Sequence, residues 1–132
     1  MGSHLPKAFI EVIPHHLQRY NTGGDYYQLS DGMVHFKISE MESPDYEFLV
    51  ATHEWIERYL CEKAGITQEQ IDQWDMEHEE SDDPGSLEGC PYKEQHQFAV
   101  DMEIFLADKL GVIWKDYDAA FGKLVYTKEE KK

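Results

Sequence analysis

Residues 33–64 read MVHFKISEMESPDYEFLVATHEWIERYLCEKA, and within this stretch the spacing of the apolar residues changes. From Met33 to Ile38 apolar and polar side chains alternate, the period of a strand with one face in a core. From about Asp45 the period becomes helical. Tyr46, Leu49, Val50, His53, Ile56, Glu57, Leu60 and Ala64 recur at three- and four-residue steps, and Gly65 stands where a C-terminal cap is expected. A strand that runs through a short acidic connection into one long amphipathic helix predicts an α+β fold.

Towards the N-terminus, Phe9-Ile10-Glu11-Val12-Ile13 is a β-branched run stopped by Pro14, and Asp25 to Leu29 leads into a Ser30-Asp31-Gly32 turn. That turn joins Asp25–Leu29 to Met33–Ile38 as a hairpin. His35 alternates with Val34 and Phe36 and therefore faces away from them. Towards the C-terminus, Thr67-Gln68-Glu69-Gln70 is a capping box that opens a second helix, with Ile71, Trp74 and His78 on one face. Glu79 to Gly89 has the acid, Pro and Gly content of a loop, a lid or a linker. A third helix starts near Tyr92 and ends at Gly111, with Tyr92, His96, Ala99, Val100, Glu103, Leu106, Ala107 and Leu110 along one stripe. Trp114, Tyr117 and Phe121 mark a short closing helix. The expected architecture is an N-terminal β-hairpin or small antiparallel sheet packed on three to four helices. It forms one domain over residues 5–126, with residues 1–4 reading as a tag remnant and 127–132 as a charged tail.

Charge limits the function classes. Asp and Glu number 27 against 12 Lys and Arg, a net charge of −15, and the basic residues form no stripe that follows a phosphate backbone. Direct nucleic-acid binding is disfavoured; the acid serves either as a solvated surface or as a face for a basic partner, such as a host protein. No apolar run is long enough to span a bilayer, so the expected compartment is the cytoplasm, the host's cytoplasm for a phage-encoded chain. Two cysteines, Cys61 and Cys90, are too few for a disulfide scaffold and read as free thiols, Cys61 in the core and Cys90 in an exposed loop. The many Tyr and Trp residues leave room for an aromatic interface in a homo-oligomer.

The chemistry concentrates at His53 and Glu57. One turn apart, they share the face that carries Leu49, Val50 and Leu60. A carboxylate on a core-facing stripe must be neutralised, paired or coordinated, because burial alone costs too much. Coordination of a divalent metal satisfies it, and a third ligand is expected from downstream: His96 first, then Asp75, then Glu103. A structural alternative pairs Glu57 with Arg58, Lys63 or Arg19. His15 and His16 form a loop pair open to adventitious metal, and His78 reads as a surface residue.

In layout, residues 33–64 resemble the zincin-like metallohydrolases, in which an edge strand precedes the helix that carries the active-site motif. His53-Glu54-Trp55-Ile56-Glu57 is a His-Glu-x-x-Glu variant of their motif, with Glu57 in the place of the second histidine. The resemblance implies a zinc ion held by His53 and Glu57, Glu54 as the general base, and hydrolysis of a small-molecule or peptide substrate. The stretch is also similar to small phage and prophage proteins with His-Glu-x-x-Glu. Two other classes compete. Glu54-x-x-Glu57 followed by Asp72-x-x-Asp75 resembles the magnesium- or manganese-binding carboxylates of all-α nucleoside triphosphate pyrophosphohydrolases. An acidic phage protein that inhibits a host factor by binding is the third, and its action would need no metal.

Overall fold

A computed structural model describes residues 4–126, so the expected tail at 127–132 and most of the expected tag remnant lie outside the described residues. The chain forms strands β1 (Ala8–Ile13), β2 (Gly24–Gln28) and β3 (Val34–Ser39), then helices α1 (Pro44–Lys63), α2 (Gln68–Glu77), α3 (Lys93–Leu110) and α4 (Trp114–Phe121). Single 3-10 turns occupy His15–Leu17 and Pro84–Ser86. The α+β class stands, with a small N-terminal sheet and four helices.

The sheet differs from expectation in two respects. Its order is β1-β3-β2, and β1 pairs with β3 in parallel, Ala8 opposite Val34 through Ile13 opposite Ser39, so the sheet is mixed, not antiparallel. Pleat alternation reports which face a residue occupies and is silent on strand direction. The hairpin of β2 and β3 is present as expected, with Gly32 at φ +88° and the Asp31 carboxylate accepting from Met33 N–H at 2.9 Å. The second difference follows from the order: β3 is the central strand, whereas the zincin-like comparison cast it as an edge. Residues 14–23 carry the chain from β1 to β2 over a polar anchor. There His15 Nδ1 meets Ser39 Oγ at 2.8 Å and Gln18 Nε2 donates to the same oxygen at 3.0 Å. His15 is therefore a buried structural residue with both ring nitrogens engaged, and it makes no metal pair with the exposed His16.

Val34, Phe36 and Ile38 point into the core from β3, while His35 lies on the other face, stacked on Tyr27. α1 covers this core and is itself packed between the sheet and α3. Ser43 caps its start, its hydroxyl accepting from Asp45 N–H at 3.1 Å, with Pro44 in the first turn. Gly65 at φ +79° closes the other end, where Ile66 N–H reaches Cys61 O at 2.9 Å. The buried stripe of α1 is Leu49, Val50, His53, Glu57 and Cys61; it leaves the helix at Cys61, and Ala64 is exposed. On α3 it is Ala99, Glu103 and Ala107, with Tyr92 just before the first turn. Cys90 is buried beside this core, not exposed as its Gly-Cys-Pro context suggested. No helix among the described residues is long and apolar enough to cross a membrane.

Candidate metal centre

The buried faces of α1 and α3 each carry a histidine and a glutamate, and packing the two helices brings these four side chains together. His53 Nε2 lies 3.1 Å from Glu57 Oε2, His96 Nδ1 lies 2.7 Å from the same oxygen, and the two ring nitrogens are 3.3 Å apart. Among the described residues, this is the group of ligating side chains whose atoms converge as a metal requires. In a tetrahedral zinc site with bonds of about 2.0–2.1 Å the ligand atoms stand about 3.3–3.4 Å apart. The three observed separations approach that spacing, and a small outward movement at the Glu57–His96 edge reaches it.

Each of these three side chains is also held at its other end. His53 Nδ1 donates to Glu103 Oε1 at 2.7 Å, which leaves Nε2 as the lone-pair nitrogen when the ring is neutral. Tyr26 donates its hydroxyl to Glu57 Oε1 at 2.7 Å and so leaves Oε2 for the centre. His96 Nε2 lies 2.8 Å from Asp83 Oδ1, off the line of a directed hydrogen bond, so this contact is chiefly electrostatic. Glu103 in turn accepts from Tyr117. Carboxylates behind the ring nitrogens are the usual means of orienting histidines as metal ligands.

Electrostatics favour positive charge on the imidazoles of this cluster. Burial works against the charged form of His53, but the carboxylates of Glu103 and Glu57 outweigh it and hold the ring's pKa well above the ordinary value. The same competition, with Asp83 and Glu57 as partners, raises His96 to about 9. Burial would raise Glu57; the hydrogen bonds from His53 and His96 prevail and hold it down to about 2. Glu54, beside the centre on the cavity wall, is driven up by burial and by repulsion from Glu57. It packs over Gly24 so closely that a Cβ there would lie 2.7 Å from Glu54 Oε2. Gly85 is as tight against the His96 ring, a Cβ there falling 2.5 Å from Cγ.

His53, Glu57 and His96, the first-ranked set, thus come together. Glu103, the third choice as a ligand, stands behind His53 instead. Asp75 does not join the centre: it lines the same cavity, where it accepts from Tyr20 at 3.0 Å and from Tyr92, and burial leaves it at about 6. Asp72 is held by Arg19 at 3.1 Å and by Gln68, so the four-carboxylate cluster does not assemble. Of the proposed structural partners of Glu57, Arg58 is engaged with Glu62 and Arg19 with Asp25 and Asp72. His78 is part-buried, stacked on Trp74 at 3.8 Å. Sequence reasoning missed Tyr26, Asp83 and Tyr117, because no helical or strand spacing links them to His53. The loop from Glu79 to Gly89 closes over one side: Trp74 Nε1 donates to Pro84 O at 2.8 Å, and Glu79 accepts from Asn21 N–H at 2.8 Å. Beneath it lies a cavity of about 640 Å³.

Comparison with models of known protein families, with curated proteins and with solved structures finds no match to this chain.

Proposed function

We propose that this protein is a metal-dependent hydrolase of zincin-like type. His53 Nε2, Glu57 Oε2 and His96 Nδ1 would hold the ion, and Glu54 would serve as the general base. The observation that carries the reading is that each of these three side chains is steadied at its far end by a separate partner, Glu103, Tyr26 or Asp83. Two imidazoles in the ligand set favour zinc over magnesium or manganese, which prefer oxygen. This choice, together with the engagement of Asp72 by Arg19, also ranks nucleotide chemistry lower.

When bound, such an ion supplies a Lewis acid that polarises the scissile group and acidifies water. Glu54 takes a proton from the attacking water and returns it to the leaving group, a task suited to a carboxylate whose basicity burial has raised. Glu103 and Tyr117 keep the His53 ring in place throughout. The cavity, at about 640 Å³, admits a substrate of small-molecule or short-peptide size.

Metal content measured by mass spectrometry tests the reading. Wild type should carry about one zinc per chain, and His53→Ala and His96→Ala should each lose it. Glu54→Gln should keep the ion and reduce turnover by about 10²–10⁴-fold. Zinc retained in both histidine variants would remove those residues from the site. No metal under any condition would leave an acidic protein that acts by binding a host factor.

A further inference from the structure

Carboxylates dominate the wall of the cavity over the centre, whose basic side chains are the histidines His15, His53 and His96. Besides the carboxylates of the centre, its lining includes Glu54, Asp75, Glu79, Glu80, Asp82 and Asp118, and among the described residues it contains neither lysine nor arginine. Arg19, next in sequence to the cavity residue Tyr20, is forked onto Asp25 at 2.8 Å and Asp72 at 3.1 Å. The uncharged part of the wall is strongly aromatic, with Tyr20, Tyr92, Trp114, Tyr117 and Phe121. Aromatic faces attract cations, and carboxylates in a cleft with low-dielectric walls focus a negative potential into it. A divalent ion does not reverse this balance: Glu57 lies in its ligand set, with Glu103 and Asp83 immediately behind.

We propose that the substrate is a peptide-type amide whose side chain beside the scissile bond ends in an amine or guanidinium. The inference rests on the hydrolase reading and names the substrate class for that same site. Phosphate esters, nucleotides and acidic peptides meet repulsion from the cavity wall, with no guanidinium or ammonium group among its described residues to receive them.

The test uses three hydroxamates that share one metal-binding head and differ in the side-chain end: lysine, norleucine and glutamate hydroxamate. Binding to the full-length, zinc-loaded protein is followed by calorimetry, with zinc binding itself measured first. Lysine hydroxamate should bind at least about tenfold more tightly than norleucine hydroxamate, and glutamate hydroxamate should bind most weakly. The preference should shrink as salt is raised to about 1 M, where screening acts over about 3 Å. It should also fall towards unity in the triple variant Glu80→Gln, Asp82→Asn, Asp118→Asn, which spares the centre. Zinc binding with equal affinities, with preference for the acidic probe, or with no hydroxamate bound would overturn this inference and leave the metal site standing. Failure to bind zinc would overturn the hydrolase reading and this one with it.

Discussion

His53 is the residue on which the chemistry turns, because both of its nitrogens are committed: Nδ1 to Glu103 at 2.7 Å, Nε2 towards Glu57 and His96. Without an ion His96, raised to about 9, holds a proton at pH 7, and the carboxylates beside His53 raise that ring as well. The sign follows from the direction of the shift. The contribution of His96 to folding is complete below its ordinary value of 6.5 and is lost as pH rises through about 9. Metal binding runs the other way, because it needs the neutral rings. At pH 7 zinc should therefore displace protons from the rings, visible in calorimetry as a heat that changes with the ionisation enthalpy of the buffer. A buffer-independent heat would mean that the rings are already neutral. His53, Glu57 and His96 were legible in the sequence because two core stripes each carried polar residues that a core does not tolerate alone. Asp83 was not, because its role depends on the path of an irregular loop.

At the scale of elements, two glycines would separate metal binding from catalysis on the proposed reading. Gly24, at the start of the edge strand β2, abuts Glu54, and Gly85, in the 3-10 turn, abuts the ring of His96. Neither has positive φ, so alanine is resisted only by the neighbour that its methyl group meets. Gly24→Ala should displace Glu54, with zinc kept and turnover reduced by about tenfold or more. By contrast, Gly85→Ala should press on His96 and weaken zinc by about tenfold or more, an effect of the size seen when a ligand's support is lost. Affinities from competition with a chromogenic chelator, set beside helix content by circular dichroism, check both; unchanged zinc affinity in Gly85→Ala would unseat the contact with His96. The helices were readable from caps and periodicity, as Thr67, Gly65 and Gly111 bear out. The parallel pairing of β1 was not, because strand direction leaves no mark on a period of two. The ten residues of the 14–23 connection, too long for a tight hairpin, were the available sign.

For the whole molecule, the centre is a clasp between α1 and α3, and stability should depend on its occupancy. Free zinc at about 1,000 times its dissociation constant would add about 4 kcal/mol, which for a domain of this size raises Tm by roughly 10–20 °C. Scanning calorimetry with zinc and with a chelator measures the difference, and coincident transitions would reduce the centre to a cluster of ion pairs. The net charge of −15 was visible from composition, but its concentration around one cavity was not, since the lining comes from loops and helices distant in sequence.

The separation of 43 positions between His53 and His96 also orders events during synthesis. A ligand set drawn from residues 53, 57 and 96 cannot close on a nascent chain until α3 has cleared the ribosome. Until then the growing polypeptide would offer an incoming ion only His53 and Glu57, two of the three proposed ligands. On the reading proposed above, metal loading would thus be a late step in the protein's maturation, open only once residue 96 has joined residues 53 and 57.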